Sequence, residues 1–324
     1  MRRKVITAFV STAVLLAAAS CGGNTSTAPP QSSPGKVDQV KVGVIAIVDV
    51  APIYLGKQKG FFSKRNIDVS METSQGGAAI VPGVVSGQFQ FGFSNVTSLL
   101  LAKSNNIPIK MVNNGVASSG TPGDDFSGVV VKGDSPIKTA ADLAGKSVSV
   151  NTLKNIGDTT VRASVRKAGG DPKTVKFVEL PLPNMGAALQ AGQVDAIWVV
   201  EPFLTAAKDQ GGRVVAWNFA EAVPNLTVAT YFTSQQMISG NADLVKRFKE
   251  AIAESLAYAS SHADEVRAII PTYTTIKADV AGKLTLPKWP ADINTASLQA
   301  MEDLAIGDGL LAQEKAPKIA DLLP

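Results

Sequence analysis

Histidine and cysteine are nearly missing from this sequence, which contains one of each in 324 residues. A lone cysteine cannot form an internal disulfide bond, and without a cluster of histidines and cysteines the chain has no ligand set for zinc. The single histidine, His262, lies on a predicted late helix beside Ser260, Ser261 and Asp264. A Ser-His-Asp hydrolase would require this histidine, but a surface position on the helix is the simpler interpretation. We therefore expect no catalytic residue, no metal and no cofactor.

A strong excess of one charge is also missing. The formal net charge is +4, but Arg2, Arg3 and Lys4 supply three of these charges, which leaves the rest of the chain close to neutral. No basic stripe with interleaved aromatic residues is present, so nucleic acid is not an expected partner. The Gly-Lys-Ser/Thr pattern of phosphate-binding loops is absent as well.

Only the N-terminus contains a long apolar run. Residues 5–19 are almost wholly apolar or small and follow Arg2-Arg3-Lys4, a combination typical of an export signal. Cys21 follows Leu16-Ala17-Ala18-Ala19-Ser20, which resembles the lipobox of bacterial lipoproteins. The sequence thus predicts a lipoprotein signal peptide over 1–20 and a lipid anchor on Cys21, at the extracytoplasmic face of a bacterial cell membrane. An ordinary signal peptide with an incidental cysteine is the alternative.

The segment that follows is rich in Gly, Ser, Thr and Pro. Residues 21–36 show no apolar periodicity, which predicts a flexible tether. Beyond them no run is long enough to cross a bilayer, and a chain that is 45% hydrophobic can form two modest cores. The order of strands and helices predicts an α/β fold with two lobes. We place lobe 1 at 37–133 plus 233–324 and lobe 2 at 134–232, with the first crossing near the Ser135-Pro136 break.

One pattern occurs twice in the predicted body. A helix end, a Gly-Gln pair and an apolar strand lead to a polar strand tip, once at 84–95 and again at 186–201. We interpret the copies as corresponding parts of two similar lobes that share a cleft. Ligands of open α/β sheets bind beyond the carboxyl ends of the strands, so the candidate contacts are Ser94, Asn95, Trp198 and Glu201. Trp198 is expected to be partly core, and Glu201 can equally hold its own turn or a hinge.

Two glycine-bearing loops precede predicted helices, one in each lobe. The first contains Gln75 and Gly76, and the second, 151–157, includes Asn151, Thr152, Asn155 and Gly157. Helix N-termini expose backbone N–H groups and the positive end of the helix dipole. Two of them across a cleft favour a ligand with negative charge or strong acceptors. The alternative is that the glycines only make the turns tight.

The chain beyond the second lobe is predicted to be helical. Asn241 is typical of a helix cap, and apolar residues recur one turn apart after it, namely Leu244, Phe248, Ile252 and Leu256. This spacing predicts a helix that packs on the core and carries no site.

Four motifs occur in an order that is more specific than any one of them. They are Ala51-Pro52-Ile53-Tyr54 before Gly60-Phe61-Phe62, then Asp142-Leu143-Ala144-Gly145-Lys146, then Gly192-Gln193-Val194-Asp195-Ala196 before Glu201-Pro202, and lastly Asn241-Ala242-Asp243-Leu244-Val245. Together they resemble the substrate-binding proteins of ABC importers for nitrate, sulfonates, taurine and related solutes, the SsuA/THI5-like family. The resemblance implies a type II periplasmic-binding fold, in which two α/β lobes enclose a ligand cleft.

The resemblance also implies which loops line the pocket. Carried onto this sequence, the positions are Asp49 with Tyr54, Gln75 with Gly76, Ser94 with Asn95, the loop 151–157, and Trp198 with Glu201. It further implies a monomeric receptor that closes its lobes on a sulfonate, nitrate, taurine-like or other small organic solute. The receptor would then deliver the solute to the permease and ATPase subunits of an importer at the membrane.

Two acids depart from what the resemblance implies, because Asp49 stands where relatives often have a small neutral residue and Glu201 adds a second carboxylate. In a poorly solvated cleft they would repel a nitrate or sulfonate unless neutralised. Lys154 and Arg162 are candidate counter-charges; otherwise the ligand carries an amine or other donor, alone or in a zwitterion. The remaining alternative is a membrane-anchored enzyme of the same fold that acts on a small heterocycle, although the cysteine-rich motif of THI5-type pyrimidine synthases is absent.

Overall fold

A computed structural model describes residues 36–324 of the chain. The predicted signal peptide, the lipid-anchor candidate Cys21 and the predicted tether up to residue 35 lie outside the described residues. Residues Val37–Pro324 form one compact unit. Within 36–324, no helix has both the length and the apolar character needed to cross a membrane.

The described residues contain ten strands, arranged in two five-stranded sheets. In chain order they are β1 (Asp38–Val44), β2 (Ile67–Thr73), β3 (Phe91–Asn95), β4 (Ile109–Ala117), β5 (Ser127–Val131), β6 (Ser147–Val150), β7 (Lys176–Glu179), β8 (Ala196–Val200), β9 (Arg213–Ala216) and β10 (Thr227–Ser234). Every residue of β3, β5, β8 and β10 is buried. Such continuous burial is expected of strands that are covered on both faces.

The two sheets have the same strand arrangement. The order is β2-β1-β3-β10-β4 in the first sheet and β7-β6-β8-β5-β9 in the second. In each sheet the first three strands are parallel, and the fourth, β10 or β5, is antiparallel to both neighbours. The two Gly-Gln pairs of the sequence precede β3 and β8, which hold the same position in their sheets. The prediction of two similar α/β lobes is therefore confirmed at the level of topology.

The chain crosses between the sheets at other places than the predicted boundaries of 133/134 and 232/233. The strand β5 already belongs to the second sheet, and β10 belongs to the first from Thr227 onward. The crossings thus lie between Ala117 and Ser127 and between Ala216 and Thr227. The Ser135-Pro136 break is a turn inside the second lobe, because the amide of Ser135 donates to the carbonyl of Lys132 and Arg213 holds the carbonyl of Ser135.

Twelve α-helices pack around the sheets within the described residues. They are α1 (Ala51–Gln58), α2 (Gly77–Val85), α3 (Val96–Ser104), α4 (Ile156–Lys167), α5 (Leu182–Gln190), α6 (Phe203–Asp209), α7 (Asn218–Ala222), α8 (Gln235–Gly240), α9 (Ala242–Ser261), α10 (Ala263–Ile269), α11 (Ala278–Ala281) and α12 (Thr295–Gly307). Short 3-10 turns occupy Val48–Val50, Ser63–Arg65, Ala140–Leu143, Pro172–Thr174, Ile270–Thr272, Gln313–Lys315 and Ile319–Leu322.

The longest helix, α9, packs on the first sheet as its apolar spacing predicts. The Asn241 side chain accepts a hydrogen bond from the amide of Leu244 at 3.2 Å and caps the helix. The ring of Phe248 is fully buried and stacks on Phe91 of β3, with 3.7 Å between ring centroids. Ile252 and Leu256 are buried in the same core. The predicted packing role of this helix is therefore confirmed.

The parallel strands place their carboxyl ends along one edge of each sheet. The chain leaves β1 at Val44 and β3 at Asn95 in the first sheet, and β6 at Val150 and β8 at Val200 in the second. Because side chains that follow parallel strands meet at one edge, these four exits bring distant stretches of sequence together. They form the walls of the cleft described next.

Candidate functional site

Two adjoining cavities lie in the cleft between the sheets. The inner cavity has a volume of about 30 Å³, and the outer one has about 320 Å³. Small-molecule sites span roughly 300–1,000 Å³, so the outer cavity is large enough for a small solute. Ile45 and Leu182 line both cavities, which makes them two parts of one cleft.

Both lobes contribute to each cavity. The inner cavity is lined from the first lobe by Ile47, Asp49, Phe93 and Asn95, and from the second by Asn151, Ile156, Trp198, Val200 and Phe219. The outer cavity is lined by Thr73, Ser74 and Gln75, by Pro181, Pro183 and Phe203, and by Tyr273, Thr274 and Thr275. Of the predicted contacts, Asp49, Gln75, Asn95, Asn151 and Trp198 converge on this cleft.

The two glycine-bearing loops touch each other across the cleft. The side chain of Gln75 donates to the backbone carbonyl of Asn151 at 3.2 Å, and the side chain of Asn151 donates to the carbonyl of Gln75 at 2.9 Å. A Cβ atom on Gly76 would lie 2.9 Å from Cγ2 of Thr152 and 3.0 Å from Nδ2 of Asn151. This reciprocal pair, which we call the Gln75–Asn151 latch, holds the lobes together in a closed arrangement.

Asn155 organises the second-lobe loop from within. Its Oδ1 accepts the amide of Gly157 and so caps α4, while its Nδ2 donates to Oδ1 of Asn151 at 2.7 Å and to Oγ1 of Thr152 at 2.8 Å. Asn155 is 1% exposed and lines neither cavity. Its contacts orient the side-chain amide of Asn151 toward Gln75. Asn155 therefore lies behind the cleft and supports the latch from there.

Trp198 forms part of the wall of the inner cavity. Its indole Nε1 donates to Oγ of Ser127 at 3.0 Å, and its ring packs edge-on against Phe219. A Cβ atom on Gly157 would lie 2.7 Å from Cε3 of Trp198, so only glycine lets α4 begin this close to the indole. Trp198 therefore packs in the core through one part of its ring and lines the inner cavity with another.

Asp49 is the buried acid of the inner cavity. It is 2% exposed, and its Oδ1 atom has no hydrogen-bond partner among the described residues. Burial is the main cause that raises the pKa of this carboxyl from 3.8 to about 8; a backbone hydrogen bond opposes the rise, and the nearby charge of Asp125 adds to it. The indole of Trp289 donates to the Asp49 carbonyl at 3.1 Å and fixes the backbone there.

Ser94 and Tyr54 lie behind the cleft walls. A Cβ atom on Gly77 would lie 1.9 Å from Oγ of Ser94, because that serine fills the space beneath α2. The ring of Tyr54 stacks on Tyr273 with 3.9 Å between centroids and supports the ring that lines the outer cavity. Asn95 does line the inner cavity, but its amide also caps α3 by accepting from the amide of Ser98 at 2.9 Å.

This sequence matches the model of a known protein family. A model described as NMT1/THI5 like matches residues 47–266, which is more than half of the chain. The chain belongs to the NMT1/THI5-like family. The matched range begins three residues after β1 and includes the whole second sheet and both loops of the latch.

Relatives and solved structures agree with this membership. The NMT1/THI5-like chain is 25% identical to the taurine-binding periplasmic protein of Escherichia coli (strain K12) over 306 residues, 87% of the chain and 89% of that protein. It is 20% identical to the formylaminopyrimidine-binding protein of Halalkalibacterium halodurans over 223 residues, 68% of the chain and 65% of that protein. The alkanesulfonate-binding protein SsuA from Xanthomonas axonopodis pv. citri matches with a TM-score of 0.75 at 17% identity, over 90% of this chain and 99% of that one. The two-lobed fold is that of periplasmic binding proteins.

In this NMT1/THI5-like protein the Glu201 carboxylate faces away from both cavities. It accepts hydrogen bonds from the amide and hydroxyl of Thr205, at 2.9 and 2.7 Å, and from the amide of Thr285 at 3.2 Å. Its backbone carbonyl accepts from the amide of Val48 in the other lobe at 3.1 Å. Glu201 is thus bonded to both lobes and does not line either cavity.

The candidate counter-charges are also outside the cleft. Lys154 is exposed, and its backbone amide donates to the carboxylate of Asp158 at 2.8 Å. The Arg162 guanidinium lies 4.8 Å above the ring of Phe177 and donates to the carbonyl of Pro172. Neither side chain lines a cavity, so neither neutralises Asp49.

Several lining residues were missed by the sequence analysis. Pro181, Leu182 and Pro183 follow β7, and the rule that ligands bind beyond strand ends would have found them. Tyr273, Thr274 and Thr275 come from the segment after α10, far from any strand, and no local signal marks them. They reach the cleft only because that segment folds back over it, where the Tyr273 hydroxyl donates to the carbonyl of Ile47 at 3.1 Å.

His262 has no place in the cleft. Its ring stacks on Tyr258 with 3.7 Å between centroids, and Nδ1 lies 2.8 Å from the carbonyl of the same residue. Within residues 36–324, no group of three or more His, Cys, Asp or Glu side chains is arranged to hold a metal ion.

Proposed function

We propose that this protein is the extracytoplasmic solute receptor of an ABC importer, tethered to the membrane by a lipid on Cys21. It works as a monomer that captures a small solute and passes it to the permease and ATPase subunits. The observation that carries the proposal is the cavity of about 320 Å³ at the seam between the two lobes, which is walled from both sides. The relatives, which are named as binding proteins, support the same function.

The contacts suggest how capture works. A solute in the cleft touches both lobes, and a ligand shifts a conformational equilibrium only through contacts that differ between the two states. In the closed state the Gln75–Asn151 latch adds two hydrogen bonds that the separated lobes cannot make. Closure excludes water from the cleft and creates a surface that the permease can distinguish from the open form.

No specific observation favours the enzyme alternative. The lining of the two cavities includes no histidine, cysteine or lysine, and the only carboxyl group among the lining residues is that of Asp49. Binding and release explain the cleft without a reaction.

The test is a thermal-shift screen of the full-length protein, purified from membranes in detergent. The panel contains alkanesulfonates, taurine, nitrate, aromatic amines and acids, and pyrimidines. A solute present at 100 times its Kd adds about 2.7 kcal/mol to the free energy of unfolding, which raises Tm by several degrees. One chemical class is expected to produce this shift. In parallel, mass spectrometry of the purified protein should identify a co-purified small molecule; if both measurements find no ligand, the receptor proposal is wrong.

A further inference from the structure

The lining of the cleft contains one acidic group and no basic one. Neither cavity is lined by lysine or arginine, and Asp49 is the one acid among the lining residues. An anion bound there would lose its hydration and meet no cation, while the desolvated Asp49 carboxyl would repel it once ionised. The electrostatics of the lining are therefore unfavourable for a sulfonate or a nitrate.

Two helix N-termini at the cleft, those of α3 and α4, are closed to an anion, whereas the N-terminus of α2 at Gly76 has no side-chain cap. The N-terminus of α4 is capped by Asn155, and the buried carboxylate of Asp158 already occupies its first turn, accepting the amide of Lys154. The N-terminus of α3 is capped by Asn95. These two ends, which would otherwise hold an anion, are served by side chains of the protein itself.

Asp49 lines the inner cavity and carries an unpartnered oxygen. Its Oδ1 is buried without a hydrogen bond, a situation that costs free energy unless a ligand supplies a donor. The volume of about 30 Å³ beside it holds a group of the size of one or two water molecules. An ammonium, amidinium or protonated ring nitrogen has this size and carries N–H donors.

We infer that the solute carries a cationic or protonatable nitrogen that binds Asp49 in the inner cavity, joined to an apolar or aromatic body that fills the outer cavity. This inference rests on the proposed receptor function and narrows its substrate class. The aromatic rings of Phe93, Trp198 and Phe219 around the inner cavity favour a cation in their vicinity. Phe203 and Tyr273, with two prolines, give the outer cavity an apolar surface for the body.

The charge of Asp49 makes the sign of the pH dependence diagnostic. The titratable groups that interact with it are the acid Asp125 and the phenols of Tyr231 and Tyr273, and no cation is among them. In the ligand-free protein the pKa of Asp49 is about 8, so the carboxyl ionises as the pH rises from 6.5 to 8.5. A cationic ligand should then bind more tightly at the higher pH, whereas an anionic ligand should bind more weakly.

The experiment compares ligands that share a body and differ in the head group. Phenethylamine is paired with 2-phenylethanesulfonate, and benzamidine with benzenesulfonate; taurine and nitrate complete the set. Binding to the full-length protein is measured by calorimetry at pH 6.5 and 8.5. We expect at least one nitrogen-headed member to bind at least tenfold more tightly than its sulfonate partner, with affinity that rises with pH.

A matched pair of variants tests the role of the carboxyl. Asp49→Asn keeps the shape of the side chain and removes the charge, and should weaken binding of the nitrogen-headed ligand at least tenfold. Glu302→Gln is the control, because Glu302 is also a buried acid with an unpartnered oxygen but lines neither cavity. The control should bind as the unmodified protein does.

The outcomes separate this inference from the receptor proposal. Preference for a sulfonate or nitrate, equal binding by Asp49→Asn, or no binding by either nitrogen-headed probe at millimolar concentration would each overturn the substrate class. The receptor proposal survives any of these results if another solute shifts Tm in the screen or co-purifies with the protein. It fails only if no solute binds at all.

Discussion

Asp49 and Glu201 are two buried carboxyl groups with opposite surroundings. Both follow strand ends, and from the sequence both are candidate ligand contacts. Three donors from Thr205 and Thr285 satisfy Glu201, while Oδ1 of Asp49 has no partner within the described chain. Burial raises the pKa of each, but only Asp49 opens onto a cavity. Thr285 lies too far along the sequence for any pattern to have paired it with Glu201.

Replacing Asp49 by asparagine should change how stability depends on pH. The folded pKa of about 8 lies above the ordinary value of 3.8, so between these values the folded state keeps a proton that the unfolded state has lost. The free energy of unfolding therefore falls as the pH rises through this window, by up to several kcal/mol. In Asp49→Asn the free energy of unfolding should not show this part of the decline. Urea unfolding of both proteins at pH 5, 6.5 and 8 measures the difference. Identical slopes for both proteins would contradict the buried, protonated state of Asp49.

The loops that begin α2 and α4 act as a pair of elements. Both were expected at the cleft because each follows a strand and precedes a helix. The sequence does not show that they touch, since the Gln75–Asn151 latch joins residues that are 76 positions apart. The backbone of Gly76 does not require glycine, since any residue can adopt its φ of −176°. Glycine matters here because it has no side chain and so lets the two loops approach.

Replacing Gly76 by alanine should weaken ligand binding without unfolding the protein. The added Cβ would lie 2.9 Å from Thr152 when the lobes are closed, and this contact vanishes when they separate. We expect affinity to fall about tenfold, which corresponds to about 1.4 kcal/mol, in calorimetry with the solute found by the screen. Gly240→Ala is the control, because a Cβ there meets nothing within 4 Å. Unchanged affinity in Gly76→Ala would show that capture does not need this approach of the loops.

At the scale of the whole molecule, the second sheet is formed by one uninterrupted stretch of the chain. The strands β5 to β9 all belong to the second sheet, and β10 returns to the first between β3 and β4, so the chain crosses between the sheets twice. The segment after α10 adds further contacts, through Tyr273 to Ile47 and through Thr285 to Glu201. Several connections therefore restrict the relative motion of the lobes to bending about a few residues.

The lipid anchor is a prediction about the whole molecule in its cell. Cys21→Ser should abolish lipidation and shift the protein from the membrane fraction to the soluble extracytoplasmic fraction, because a lipid chain supplies the membrane affinity. Fractionation with immunoblotting measures the shift, and mass spectrometry of the N-terminus detects the lipid. Solute affinity should stay as it is, since the cleft is built from residues 45 and beyond. If Cys21→Ser remained in the membrane fraction, Cys21 would not be the membrane anchor.

The sequence alone determined the features that depend on local chemistry. Apolar runs identified the buried strands, Asn241 and its spacing identified the packing helix, and the repeated Gly-Gln pattern identified the duplication, because each follows from a few neighbouring residues. The sheets that β5 and β10 join, the pairing of Gln75 with Asn151, and the position of Asp49 rather than Glu201 at a cavity were decided by tertiary structure. The reason is physical: whether a strand joins one sheet or the other, and whether a buried carboxyl finds donors, depends on residues brought together from far along the chain.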